Sequence, residues 1–193
     1  SLSASSNGAY YQNYNISFTE PWLGGKKPNA LTVSVYKSVS SNGQEGDNRE
    51  AIEILGLTVG IGKRLKNPDD YFTIYNGMNF QQYKLINSQS FFTFKNGFSN
   101  NFNYNIRLGR NSVDQLIFPR RGSNFSLGLK ITPPYSMFDG IDDYSTVSDQ
   151  EKYKYIEYYK WKYKSSWYSA FTDKLVLATK IEMGLLGAYN NSL

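Results

Sequence analysis

The sequence predicts an all-β fold, a transmembrane antiparallel up-and-down β-barrel wall, on three observations. Apolar and polar residues alternate with a period of two through most of the chain, which is strand spacing. Aromatic residues make up 17% of the chain, more than a soluble domain of this size readily hides. Charged residues at midstrand fall mostly on the polar side of the alternation. Half of every barrel strand faces a polar lumen, so a mean hydropathy of −0.52 fits such a wall. It does not fit helical spans, because no run approaches the ~18 apolar residues that one needs.

The elements follow in order. From Tyr10 the even positions Tyr10, Gln12, Tyr14, Ile16 and Phe18 oppose Tyr11, Asn13, Asn15, Ser17 and Thr19. Ala30 to Ser40 sets Leu31, Val33, Val35 and Val39 against Thr32, Ser34, Tyr36 and Ser38. Ala51 to Leu65 sets Leu55, Leu57, Val59 and Ile61 against Gly56, Thr58, Gly60 and Gly62. Tyr71 to Ile86 has mixed faces, with Asn76 and Gln82 among Phe72, Ile74, Met78 and Phe80, so a bulge is expected there. Phe92 to Arg110 alternates longest, with Phe94, Phe98, Phe102, Tyr104, Ile106 and Leu108 on one face. Globular strands usually stop after ~5–6 residues, so this length suits a tall, tilted barrel strand. Phe125 to Ile131, Tyr159 to Trp167 and Leu175 to Leu185 complete an expected set of eight.

Connections carry a second signal. Pro21 to Asn29, Lys66 to Asp70, Phe118 to Gly122 and Phe171 to Lys174 read as turns. Ser41 to Asn48 and Pro133 to Glu151 read as longer polar loops, while Asn87 to Ser90 is a short link that breaks the pattern. Turns at one end and loops at the other suit a barrel with periplasmic turns and extracellular loops. On the outward faces Lys37, Lys63, Arg110 and Glu157 are expected near strand ends, and Tyr10, Phe18, Trp22, Tyr155 and Trp167 near the interfaces. The competing soluble reading is a β-sandwich that binds glycans or nucleic acid, since one wet face per sheet alternates equally well.

Little in the chain carries reaction chemistry. The absence of Cys and His removes thiolate nucleophiles, the usual catalytic triad and most transition-metal sites. Asp69/Asp70 and Asp142/Asp143 read as solvated turn residues. Asp139, Asp142, Asp143 and Asp149 lack the EF-hand spacing for calcium. Gly60-Ile61-Gly62-Lys63 fails as a phosphate loop because Leu57 stands where the first glycine belongs. No enzyme, cofactor or metal site is expected. Lys160, Lys162 and Lys164 alternate with Tyr159, Trp161 and Tyr163, so lysines and rings take opposite faces and cannot together grip a single-stranded nucleic acid. A basic lumen lining of Arg107, Lys130, Lys160, Lys162, Lys164 and Lys180 is the better account, with lysines pairing to Glu182 and other acids.

Three stretches then resemble one family. Phe18-Thr19-Glu20-Pro21-Trp22-Leu23-Gly24-Gly25 closes a strand, with Glu20, Pro21 and Trp22 as its strand-end motif. Asn111-Ser112-Val113-Asp114-Gln115 leads to Phe118-Pro119-Arg120-Arg121-Gly122-Ser123, an aromatic-Pro-x-x-Gly turn carried by Phe118, Pro119 and Gly122. Leu129-Lys130-Ile131-Thr132-Pro133-Pro134-Tyr135-Ser136 ends the next strand. Together they resemble the barrel of the BamA family, outer-membrane protein assembly factors of Gram-negative bacteria.

The resemblance implies a sixteen-stranded barrel of which residues 1–193 form part of a single domain, roughly the fourth to eleventh strands. It implies a bacterial outer-membrane location, with outer-membrane lipids, client outer-membrane proteins and accessory lipoproteins of an assembly complex as partners, and no nucleic acid. No POTRA repeats, signal peptide, closing strand or Arg-Gly-aromatic loop is recognisable, so a portion of a longer chain is expected. A complete small barrel of the porin or OmpA type is the remaining alternative.

Overall fold

The computed structural model describes residues 1–25, 29–88, 93–141 and 144–190. Nine strands run β1 (Leu2–Asn7), β2 (Tyr11–Glu20), β3 (Asn29–Ser41), β4 (Ala51–Arg64), β5 (Phe72–Ile86), β6 (Gly97–Asn111), β7 (Gly122–Ile131), β8 (Tyr159–Ala170) and β9 (Val176–Gly187). They form one sheet in chain order, every neighbour antiparallel, with β1 and β9 at its edges. A complete eight-stranded barrel would pair its first strand with its last, and this sheet is open.

Register assigns each residue a face. Leu2, Ile16, Val35, Leu57, Phe80 and Phe102 share one cross-strand row. Phe18, Val33, Val59, Met78, Tyr104, Ile131 and Tyr159 share the next but one along the strands, on the same face. Most of these side chains are exposed, among them Ile16, Val35, Leu57 and Val59. Buried side chains are mostly polar instead: Ser99 and Asn103 are the largest fully buried ones, and Asn101, Asn105 and Ser165 accompany them. The buried apolar residues among those described are few, Ala51, Leu85, Phe94 and Tyr144. A soluble sheet would do the reverse, because leaving a Val, Leu or Phe in water forgoes ~1.5–3 kcal/mol each. Among the described residues no second sheet covers the apolar face, which removes the sandwich reading.

Across β3 to β6 the inner face is hydrogen-bonded to itself, while Asn15 Oδ1 on β2 has no partner among the described residues. Asn103 donates to Asn101 (3.2 Å), Asn79 to Asn103 (3.1 Å) and Thr58 to Asn79 (3.0 Å), and Gln81 links Tyr36, Tyr83 and Asn101. This amide ladder crosses β3 to β6 where buried polar atoms need partners. Glycines make room for rings above it. A Cβ on Gly56 would lie 2.2 Å from the Tyr36 ring, and one on Gly60 2.1 Å from the Tyr75 hydroxyl.

Charges bound the apolar band along a slanted line. Glu20 on β2, Lys63 on β4 and Arg110 on β6 mark one edge, and each lies one same-face row further along than the last. One such row is ~6.7 Å and two strands span ~9.6 Å, so the band crosses the strands at a slant of about 35°. That is the strand tilt of a membrane barrel. At the other edge Lys37, Gln82 and Asn100 share a row, two same-face rows above Ile131 and Tyr159. Outward polar residues inside the band are paired. Tyr104 donates to Asn76 (2.9 Å) and Gln82 to Asn100 (3.3 Å), which explains the mixed face of β5 without a bulge.

The structure corrects several expectations. β5 keeps one uninterrupted register with both neighbours. There are nine strands, not eight: β1 escapes the alternation because only Leu2 and Ala4 are apolar in Leu-Ser-Ala-Ser-Ser-Asn. β6 starts at Gly97, and Thr93 to Asn96 belong to the preceding connection with Phe94 buried; Phe92 lies outside the described residues. The link after β5 is therefore not short, since it runs from Asn87 to Asn96. Lys37 sits at the ninth of thirteen β3 residues, at the band edge but not the strand end. Glu157 is in the β7–β8 connection, not on a strand. The expected contrast of turns and loops rests mainly on that one connection, 132–158, because the tight β1–β2 turn lies at the same end.

Candidate functional site

Three neighbouring strands build a basic inner wall. Successive inward residues pair as Asn105–Lys130–Lys160, Arg107–Gly128–Lys162 and Gly109–Ser126–Lys164 across β6, β7 and β8. The side chains enclose an open groove of about 420 Å³, with Gly128 and Ser126 as its floor. Lys180 also faces inward, beside Ser166, but does not line it. Lys164 Nζ lies 2.6 Å from Glu182 Oε1, the only carboxylate on the inner face of the described strands. Like charges such as Lys130 and Lys160 directly opposite each other are destabilising. The wall is electropositive and mostly without acids of its own.

The turn of Phe118, Pro119 and Gly122 closes β6 onto β7. Gly122 adopts φ +102, and a Cβ there would lie 2.2 Å from the Ser112 carbonyl oxygen, so only glycine fits. Asp114, which sequence reading passed over, anchors the turn: its Oδ1 accepts N–H bonds from Gln115 (3.0 Å), Arg120 (3.0 Å) and Arg121 (3.2 Å). Those donors hold its carboxyl below the usual carboxylate range. An Asp five residues ahead of a Pro-Arg-Arg turn was the available signal. Arg120 donates to the carbonyls of Thr172 (3.3 Å) and Asp173 (2.8 Å), tying this turn to the β8–β9 turn. Leu116, Ile117 and Phe118 project outward, all strongly exposed.

At the strand-end motif the Glu20 carboxylate accepts the Trp22 N–H (3.3 Å), and Pro21 between them carries no donor. Trp22 is half-exposed beyond the band edge, as an interfacial ring should be. At the same end of the sheet, four strands along on β6, Arg110 is neutralised where the band ends. Its Nη2 lies 2.8 Å from Asp69 Oδ2, and its Nη1 donates to Ser112 and Ser123 (both 2.8 Å). Asp69 is thus an ion-pair partner as well as a turn residue.

At the opposite end the β7–β8 connection folds back as a strap. Thr132 exchanges hydrogen bonds with Tyr158, and Tyr135 stacks on Tyr155 at 4.6 Å. Ser136 donates through its N–H and its hydroxyl to Glu157. β7 ends at Ile131 opposite Tyr104, which leaves the first seven residues of β6, Gly97 to Asn103, without a neighbour strand on that side. Residues 153–156 fill the gap: Asn100 N–H donates to Lys154 (2.8 Å) and Ile156 N–H to Asn100 (2.9 Å). The Asp139 carboxylate accepts the Tyr144 hydroxyl, while Asp142 and Asp143 lie outside the described residues. Burial and that carboxylate push the Tyr144 phenol up to about 12.

Comparison with known proteins places these features. No curated protein matches the chain in sequence. Among solved structures, BamA of Haemophilus ducreyi lacking POTRA domains 1–3 matches with a TM-score of 0.67 at 20% identity. The match covers 97% of this chain and 35% of that one, so the chain spans about a third of that relative's length. The Omp85 superfamily domain matches residues 1–193. A tilted up-and-down sheet with an apolar outer face, superposable on a BamA barrel and matched from end to end by that domain, belongs to the Omp85 superfamily.

Proposed function

We propose that this chain is a barrel-wall segment of an outer-membrane protein assembly factor, one that folds client β-barrel proteins and inserts them into a bacterial outer membrane. The observation that carries the reading is the exposed apolar band over a hydrogen-bonded polar interior, in a chain of the Omp85 superfamily with the BamA barrel fold. The segment supplies rigid wall, interfacial anchors such as Trp22 and Trp167, and a basic lumen lining. Its partners are outer-membrane lipids, unfolded client barrels and the accessory lipoproteins of an assembly complex in a Gram-negative cell. It performs no catalytic step, and nucleic acid is not a ligand. The strap of the β7–β8 connection faces the cell exterior, and the Phe118 turn faces the periplasm.

The test is reconstitution. The full-length protein is placed in liposomes and given a urea-unfolded outer-membrane barrel, whose folding is followed by its heat-modifiable band on gels. Folding several-fold faster than in protein-free liposomes is expected. Equal rates in the two preparations would overturn the reading.

A further inference from the structure

We propose that the inner wall of β6–β8 binds one extended polypeptide segment carrying carboxylates at alternate positions, laid lengthwise over Gly128 and Ser126. The groove collects Arg107, Lys130, Lys160, Lys162 and Lys164, and only Lys164 has an ion-pair partner among the described residues. Four of those five cations have no carboxylate on their own wall, and Lys130 faces Lys160 across the β7–β8 pair. A negatively charged occupant lying between them offsets that repulsion.

The spacing identifies the kind of anion. Lys160, Lys162 and Lys164 alternate along one strand, so their stems rise ~6.6–6.8 Å apart over three rows. Alternate side chains of any extended peptide repeat at the same pitch, so an acidic strand can meet each lysine in turn. A compact phosphate would engage one row, and lysine lacks the planar fork by which arginine grips such groups. Gly128 lies between Arg107 and Lys162 and leaves the floor open, so the occupant can reach both flanks at once. The proposal depends on this face being an enclosed wall and not on insertion activity. Failure of the reconstitution assay would leave it standing, and the converse holds.

Zero-length carbodiimide coupling tests it in the full-length protein, in native membranes, with cross-linked peptides mapped by mass spectrometry. The Lys164–Glu182 link is the internal control. The expected result is coupling of Lys130, Lys160 or Lys162, at a yield comparable to the control, to Asp or Glu at alternate positions of a single peptide. Sequence assigns that peptide to the same protein or to a partner. The proposal is overturned if the control link forms alone, or if the lysines couple to acids scattered over several strands. It is equally overturned if pyrophosphate shields the three lysines from acetylation while no carboxylate partner is captured.

Discussion

Lys164 and Glu182 face each other across β8 and β9 with their charges 2.6 Å apart, on an inner face that offers no other carboxylate among the described strands. Both side chains remain more than half exposed, so solvent screens the pair and it adds little by itself. Glu182→Gln is expected to leave the urea-unfolding midpoint of the full-length barrel almost unchanged. It should also make stability more salt-dependent, because the lysine column loses its one built-in counterion. A large drop in the midpoint, or no change in salt response, would contradict this account.

Val59 lies in the middle of the outward band, flanked by Val33 and Met78. Val59→Arg is expected to cost ~2–4 kcal/mol, the penalty for a cation at the midplane of a barrel's lipid face. Ser34→Arg, on the inner face of β3 next to Val33 and outside the amide ladder, should be the milder change. Urea titrations of folding into vesicles compare the two, and equal penalties would count against the assigned faces.

Gly122→Ala forces a Cβ against the Ser112 carbonyl at a backbone angle that side chains avoid. The expected loss is ~1–3 kcal/mol from the strained backbone alone. It should appear as trypsin cleavage at Arg120 or Arg121 in protein that is otherwise still folded. Unchanged cleavage would mean that the turn has room the geometry does not reveal.

Asp114 gives the same turn a pH dependence. Its carboxyl is held below the usual range by the N–H groups of Arg121, Arg120 and Gln115. A depressed pKa means that the stabilisation is complete above the unfolded value of ~3.9 and fades as pH falls through the folded one. Amide exchange at Arg120 and Arg121 should therefore lose protection only in acid, below about pH 4. In Asp114→Asn the protection should no longer vary across that window.

The outward faces were readable because lipid imposes alternation on each strand separately, and Ile16, Val35 and Leu57 needed no partner to be assigned. β1 was not readable, since its serines satisfy either face and only pairing with β2 defines it. The basic lining was visible as residue types, whereas the groove depends on which rows β6, β7 and β8 bring into line. Asp114 and the strap were missed for one reason. Both act through backbone groups, Arg120 and Arg121 for Asp114 and the distant Asn100 for Lys154, and the identity of a residue does not reveal which side chain or strand its backbone will meet.

Because β7 is short, the height of the wall beside it is set by a returning loop. Residues 153–156 hold the opening stretch of β6, with Thr132 and Tyr158 clamping the base of the same excursion. The described residues between Met137 and Asp149 are free of that duty. The protein can vary this surface without uncovering one amide of the sheet. That surface and the membrane architecture can evolve on separate clocks.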